Sequence, residues 1–206
     1  MTEQPAIVAV LAGGRGERLG GAKAMATLGG RPLICHPLAA ARDAGLEAIV
    51  VAKRSTRLPK LEETVLHEPE QPRHPLCGVI AALQYAAERA PAPAVVLLAC
   101  DMPFVTGPLL RWLASEIDGP AVAELGGRLQ PLLARCLIGD LEPLRDALAD
   151  ESSLRGAISA LAPRILKEQE LRRFGVPEQL CFNVNDAVDL ARAEDWLARE
   201  PGWDRS

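Results

Sequence analysis

Short apolar runs alternate with longer amphipathic stretches along this chain of 206 residues. Four of the runs are brief and rich in β-branched residues, which is typical of strands buried in a sheet. They cover 6–10, 48–52, 64–66 and 94–100. The amphipathic stretches predict helices over 32–44, 78–89, 107–117, 141–148, 154–161 and 187–199. This alternation indicates an α/β fold with a mostly parallel central sheet.

The later part of the chain predicts an antiparallel addition to that sheet. Residues 121–125 and 129–137 flank Gly126-Gly127, a combination typical of a hairpin. Two further short strands are predicted at 164–166 and 179–182. The unbroken apolar run at 94–100 predicts a central strand that helices cover on both faces, so we expect three layers.

Composition favours one domain over 1–206, because 49% of the residues are hydrophobic and no low-complexity linker divides them. The chain has three Trp, one Tyr and three Phe, and its net charge is −4. Few aromatic platforms and an acidic balance argue against nucleic acid as a partner. The N-terminal apolar stretch is too short for a membrane span or signal.

The five cysteines are widely spaced and form no C-x-x-C pair. An odd number without metal-ligand spacing predicts free thiols in a reducing compartment, so we expect a cytoplasmic protein. His36, His67 and His74 show neither metal spacing nor a catalytic triad, and we interpret them as structural or surface residues.

A glycine-rich, basic segment, 11–23, directly follows the first predicted strand. Glycines at such a position let backbone N–H groups approach phosphate oxygens, since no Cβ keeps them apart. Between Arg15 and Arg31 there are four cations and one anion. This local reversal of the chain's charge predicts an anionic ligand, with Arg18 and Lys23 as point charges for a triphosphate.

Two common phosphate loops do not fit the segment. The pattern G-x-G-x-x-G, begun at Gly14, places Leu19 at its third glycine. Walker A, begun at Gly16, places Ala22 where its lysine belongs, and Lys23 is followed by alanine instead of a hydroxyl residue. The pattern that remains is L-A-G-G-x-G-x-R-x-G-x-x-K.

Asp101 ends the most apolar predicted strand, and open α/β sheets bind ligands at the carboxyl ends of their strands. Mg²⁺ prefers oxygen ligands and combines one or two carboxylates with substrate phosphates. The amide oxygen of Asn185 is a candidate second ligand, while Asn185 or Asp186 is also placed to cap the last helix. We therefore expect a magnesium site at Asp101, close to the glycine-rich segment.

Two other segments are candidates for substrate contacts. The backbone of 75–78 opens a helix, where amides can contact a base or ribose, although a plain helix start is an equal alternative. Gln130, in a predicted strand, is a candidate on the acceptor side or an ordinary strand residue.

Taken in order, these segments resemble the molybdenum cofactor guanylyltransferases. The matching segments are L-A-G-G-R-G-E-R-L-G-G-A-K at 11–23, G-G-R-P-L at 29–33, P-L-C-G at 75–78, C-D-M-P-F at 100–104, Q-P-L at 130–132 and F-N-V-N at 182–185. The resemblance implies a three-layer Rossmann-like nucleotidyltransferase fold, mostly parallel with an antiparallel addition. It also implies an NTP-binding half, about 1–105, and an acceptor-binding half, about 106–200.

The implied activity is transfer of GMP from GTP to the terminal phosphate of molybdopterin, with Mg²⁺ as cofactor and pyrophosphate as the second product. The resemblance implies nucleotide contacts from Leu11, Ala12, Gly13, Gly14, Lys23, Val51, Glu68, Pro75, Gly78 and Asp101. It implies catalytic roles for Arg18, Lys23 and Asp101, acceptor contacts from Gln130 and Asn183, and metal ligation by Asp101 and Asn185. Transient contacts with proteins that supply or receive the cofactor are also expected.

At three positions the chain departs from the family pattern. Ala22 stands where an aspartate is frequent, Val51 where some members have asparagine, and Glu68 where aspartate is usual. Gly13 favours guanine, since related cytidylyltransferases usually carry alanine there. A CTP-dependent enzyme, an enzyme with another small phosphate acceptor and a non-catalytic nucleotide-binding module remain as alternatives.

Overall fold

The structure, a computed structural model, describes residues 6–14, 22–89 and 94–199. Its strands are β1 (Ala6–Leu11), β2 (Thr27–Leu28), β3 (Arg31–Pro32), β4 (Glu47–Ala52), β5 (Thr64–His67), β6 (Ala94–Ala99), β7 (Ala121–Leu125), β8 (Arg128–Cys136) and β9 (Arg164–Leu166). Its helices are α1 (Cys35–Asp43), α2 (Pro75–Ala87), α3 (Gly107–Ser115), α4 (Leu141–Ala149), α5 (Leu154–Ala160), α6 (Glu168–Leu171), α7 (Pro177–Leu180) and α8 (Ala187–Arg199).

Seven of these strands form one sheet in the order β5-β4-β1-β6-β8-β7-β9. The strands β5, β4, β1 and β6 run parallel to one another, and β8 pairs antiparallel with both β6 and β7. The predicted mostly parallel sheet with an antiparallel addition is therefore confirmed. The predicted central position of the 94–100 run is confirmed too, since all six residues of β6 are buried.

Helices cover the sheet on both faces because successive strand residues point in opposite directions. In β1, Val8 and Val10 pack into the core that contains α1 and α3. Ile7 and Ala9 face the other way, into the core that contains α2, α4 and α5. The sheet therefore carries two apolar cores, and the three predicted layers are present.

A third, smaller cluster joins distant parts of the chain near one end of the sheet. Leu28, Leu33, Phe104, Val184 and Ala193 are buried together in it. The ring of Trp196 lies 4.8 Å from that of Phe182 and 5.4 Å from that of Phe104, as centroid distances. This cluster attaches α8 to the small β2–β3 hairpin and to the segment after β6.

Three of the predicted elements are wrong in type or extent. The expected strand at 179–182 is absent: its first two residues end the helix α7, which begins with Pro177, a residue whose fixed φ suits a first helical turn. Residues 31–32 pair with 27–28 as a strand, so α1 begins at Cys35 and not at 32. The helix α2 begins at Pro75 and not at 78, because His74 accepts a hydrogen bond from the Leu76 amide and caps it.

Candidate active site

A cavity of about 560 Å³ opens at the carboxyl ends of the parallel strands. Most of its lining residues lie at the ends of β1, β4, β5 and β6 or in the segments that follow them, which places the cavity where open α/β sheets bind ligands. They are Leu11, Ala12, Gly13, Gly14, Ala22, Lys23, Ala24, Val51, Lys53, Ser55, Thr56, Arg57, Glu68, Glu70, Arg73, His74, Pro75, Ala99, Cys100, Asp101 and Leu132.

Backbone hydrogen bonds continue beyond the strand ends and hold the cavity floor. The Ala12 amide donates to the Val51 carbonyl at 2.8 Å, and the Cys100 amide donates to the Leu11 carbonyl at 3.1 Å. Since β1 lies between β4 and β6, the glycines after β1 sit beside Asp101 after β6. The predicted proximity of the glycine-rich segment and Asp101 is confirmed.

Lys23, Asp101 and Asn185 form a charged corner of the cavity. The Lys23 ammonium makes an ion pair with Asp101 Oδ2 and donates to Asn185 Oδ1 at 3.0 Å. Asp101 is only 5% exposed, and its burial raises the pKa of that carboxyl while the Lys23 charge partly opposes the rise. Lys23 thus supplies the positive charge that a buried carboxylate requires.

The turn before α8 brings Asn185 to this corner. The Val184 amide donates to the Asp101 carbonyl at 3.0 Å, and the Val184 side chain is buried. Asp186 Oδ1 accepts from the amides of Val188 and Asp189, at 2.9 and 3.0 Å, so Asp186 and not Asn185 caps α8. The Asn185 side chain is thereby left directed at Lys23.

Asn183 stabilises the same turn through its side-chain amide and its backbone carbonyl. Its Nδ2 donates to the Cys181 carbonyl at 3.1 Å, and its own carbonyl accepts from Asn185 Nδ2 at 3.0 Å. Asn183, the predicted acceptor contact, is therefore hydrogen-bonded to Asn185, the predicted metal ligand.

A second charged corner lies around Glu68, the residue after β5. A Cβ added to Gly13 would overlap Glu68 Oε1, and one added to Gly78 would lie 3.0 Å from Oε2. Lys53 Nζ lies 3.3 Å from Oε1. Burial raises the pKa of Glu68, and Lys53 partly lowers it. The two glycines thus form a slot that this carboxylate fills.

The structure brings most of the predicted nucleotide contacts together. Leu11, Ala12, Gly13, Gly14, Lys23, Val51, Glu68, Pro75 and Asp101 all line the cavity, and Gly78 backs it through its contact with Glu68. Arg18 belongs to 15–21, which lies outside the described residues, so its role stays a prediction.

Gln130 lies apart from this group. Its Nε2 donates to the Arg128 carbonyl at 3.2 Å, and Leu132, two residues on, lines the cavity in its place. Between Gln130 and Ala134 the pairing of β8 with β7 is interrupted, at the point where Pro131 lacks an amide donor. Its acceptor role stays a prediction.

Several cavity residues were missed in the sequence. Lys53, Ser55, Thr56 and Arg57 form a run after β4, and Glu70 and Arg73 follow β5. The signal was available, because polar and basic residues directly after a buried strand occupy the same sheet edge as Asp101.

The chemistry of this cavity is that of a nucleotidyltransferase. Glycines beside a strand end, a lysine and a buried carboxylate suit a triphosphate and its counter-cation. The chain belongs to the family of the MobA-like NTP transferase domain, whose profile matches residues 8–168.

Two relatives align with nearly the whole chain. A molybdenum cofactor guanylyltransferase of Cereibacter sphaeroides is 37% identical over 197 residues, covering 93% of this chain and 96% of that protein. A molybdenum cofactor guanylyltransferase of Rhodopseudomonas palustris (strain HaA2) is 34% identical, covering 98% and 97%.

Solved structures share the fold. Molybdopterin-guanine dinucleotide biosynthesis protein A from Archaeoglobus fulgidus superposes with a TM-score of 0.75 at 24% identity, over 94% of this chain and 100% of that one. The 2-C-methyl-D-erythritol 4-phosphate cytidylyltransferase from Thermus thermophilus superposes with a TM-score of 0.67 at 24% identity, over 97% and 100%. Among the described residues, none of the helices is long and apolar enough to cross a membrane.

Proposed function

We propose that this nucleotidyltransferase moves GMP from GTP to the terminal phosphate of molybdopterin. The observation that carries the proposal is the corner formed by Lys23, Asp101 and Asn185 beside Gly13 and Gly14. A triphosphate held by the loop amides would place its negative charge against that lysine. The relatives at 34–37% identity are named for this reaction.

The reaction needs alignment and charge neutralisation more than a strong base. A terminal phosphate oxygen of molybdopterin attacks the α-phosphorus of GTP and forms a new P–O bond. The bond from the α-phosphorus to the bridging oxygen breaks, and its electron pair leaves with pyrophosphate. Since the attacking phosphate is already an anion, a catalytic histidine or cysteine is unnecessary. Of the residues that line the cavity, His74 caps α2 and Cys100 is buried.

Mg²⁺ fits the residues at Asp101. The Lys23 ammonium already lies between Asp101 Oδ2 and Asn185 Oδ1, the carboxylate and amide oxygens that Mg²⁺ prefers. Within the described residues no group of three or more His, Cys, Asp or Glu could hold a metal, so substrate phosphates and water would complete the shell. When bound, the ion supplies neutralisation of the triphosphate charge.

Gly13 and Glu68 favour guanine as the base. A nucleotide whose phosphates lie at Lys23 and Asp101 would extend its base toward β4 and β5, where Val51 and Glu68 line the cavity. A carboxylate there can accept hydrogen bonds from a base that offers donors.

The test is an assay of pyrophosphate release with GTP, CTP and ATP as separate donors, with and without molybdopterin and Mg²⁺. We expect release with GTP only when both molybdopterin and Mg²⁺ are present. The Asp101→Asn variant keeps the side-chain shape and should lose about 100-fold or more in turnover.

Each alternative has its own outcome in that assay. Preference for CTP would assign the chain to cytidylyl transfer, and release that other small phosphates support in place of molybdopterin would change the acceptor. Binding of GTP without any release would indicate a non-catalytic module. Near-normal turnover of Asp101→Asn would remove the metal role of Asp101.

A further inference from the structure

The ion pair between Lys53 and Glu68 is nearly enclosed in the cavity wall. Lys53 is 9% exposed and Glu68 is 7% exposed. Lys53 Nζ lies 3.3 Å from Glu68 Oε1 and donates to the Pro69 carbonyl at 2.5 Å. Its ammonium is therefore held by the strand end that carries Glu68, and it approaches that carboxylate from one side.

The glycine slot fixes the other sides of the carboxylate. Glu68 Oε1 lies against Gly13 and Oε2 lies against Gly78, so closely that neither glycine leaves room for a side chain. Within the described residues, Lys53 is the ion-pair partner of this carboxylate. An ionised carboxylate has about four acceptor sites, so Glu68 keeps acceptor capacity toward the cavity that it lines.

Guanine is the base that matches a carboxylate through two adjacent donors, N1–H and N2–H₂. Adenine and cytosine offer one amino donor beside a ring acceptor, and hypoxanthine lacks the N2 amino group of guanine. A protonated carboxyl group turns one acceptor into a donor and cannot receive both guanine hydrogens. Selective recognition of guanine therefore requires Glu68 in its ionised form.

We propose that Lys53 is a positioning residue for base selectivity, which keeps Glu68 ionised and turned toward the guanine edge. This inference rests on the proposed use of GTP and assigns to Lys53 a part in the selection of guanine. Lys53 acts through Glu68 and not through the triphosphate, which lies at the other charged corner.

The charges around Glu68 support this role. Burial raises the pKa of Glu68, Lys53 is the group that lowers it, and the like charge of Glu70 adds to the rise. Glu70 is itself engaged by Ser55, whose amide and hydroxyl donate to its carboxylate. Removing Lys53 would leave a buried carboxyl group beside another acid, so the pKa of Glu68 would rise further and its protonated form would be favoured.

The experiment compares GTP with ITP, the nucleotide of hypoxanthine, by calorimetric titration in the presence of Mg²⁺ and without molybdopterin. The wild-type protein should prefer GTP by about 10-fold or more, since a site built for a donor rejects the analogue that lacks it. Lys53→Met should reduce this preference to about 2-fold or less at pH 7, mainly through weaker GTP binding.

The pH profile separates positioning from a general structural role. In Lys53→Met the GTP preference should return as pH rises above about 7, because a higher pH ionises Glu68 without the lysine. In the wild type the preference should persist to lower pH and be lost only as pH falls through the Glu68 pKa. Loss of a loop contact alone would weaken GTP and ITP equally at every pH.

Two further variants act as controls for the lysine substitution. Lys53→Arg keeps the positive charge and should retain the preference for GTP. Lys167→Met removes another lysine that pairs with a glutamate, since Lys167 Nζ lies 2.7 Å from Glu124 Oε1, away from the cavity. It should leave both affinities unchanged.

Glu68→Gln gives a second measurement that does not depend on the Lys53 variants. It keeps the side-chain length, removes the carboxylate, and should abolish the GTP preference at all pH values. Wild-type discrimination in Glu68→Gln, or an unchanged ratio and pH profile in Lys53→Met, would overturn the inference. Failure of the wild type to bind any nucleoside triphosphate would instead reject the proposed function.

Discussion

Under the proposed function, Gly13 affects base choice through Glu68 and not by touching the base. The sequence predicts that this glycine lets the backbone approach a phosphate, since it has no Cβ. In the structure its missing Cβ also leaves the volume that Glu68 Oε1 occupies. The Cβ of an alanine there would overlap Glu68 Oε1 and push the carboxylate out of its slot, away from Lys53.

Gly13→Ala is expected to lower GTP affinity about 10-fold or more, since the buried Glu68 must move. The second-site change Glu68→Asp shortens the side chain, so Gly13→Ala/Glu68→Asp should recover part of that affinity. Calorimetric titration with GTP measures both. Gly139→Ala, where a Cβ meets no described atom within 4 Å, is the matched glycine control. Wild-type affinity in Gly13→Ala would contradict the slot.

At the scale of elements, α8 matters because it presents Asn185 to Lys23 across 162 residues of chain. The helix is attached by its apolar face to the cluster around Phe104 and Leu28. Glu194 on the same helix accepts a hydrogen bond from the Gly29 amide at 2.8 Å. Packing of the last helix therefore positions a side chain at a corner built by the first part of the chain.

Two helix caps permit a direct test of this role. Asp186→Ala removes the cap of α8, and Ser153→Ala removes the cap of α5, where Ser153 Oγ accepts from the Gly156 amide at 3.1 Å. Each should cost about 1 kcal/mol in urea unfolding. Only Asp186→Ala should also reduce turnover, because the Asn185 turn depends on it. Equal turnover in the two variants would contradict the role of α8 in positioning Asn185.

At the scale of the whole molecule, burial decides the behaviour of the cysteines. All five thiols are free, and Cys77, Cys100, Cys136 and Cys181 are buried. Burial raises the pKa of Cys100 and of Cys181 to about 12, and it raises the pKa of Cys136 as well. Such thiols stay protonated at neutral pH and are therefore poor nucleophiles.

Alkylation of the native protein checks this arrangement. With iodoacetamide at about pH 8, Cys35 should react first, since it is only partly buried and the thiolate is the reacting form. The other four should react only when the protein unfolds, which mass spectrometry of digests before and after denaturation would show. Rapid native labelling of Cys136 would contradict the packing of the core.

Much of the site followed from local pattern. The apolar run of β6, the glycines after β1 and the rule that parallel strand ends meet at one edge together placed Asp101 beside Gly13 and Gly14. The same reasoning failed for 179–182, where a short segment with a buried leucine suits a strand or a helix equally until its neighbours are known.

What the sequence by itself determined was the class of fold, its three layers and the residues at the carboxyl ends of β1 and β6, because the periodicity of apolar residues and the order of elements along the chain are local properties. Only the tertiary structure decided which distant side chains meet. Asn185 reaches Lys23 through the packing of α8, and Glu68 enters a slot between Gly13 and Gly78 with Lys53 beside it. Such contacts depend on burial and close approach between separate elements, which no spacing along the chain encodes.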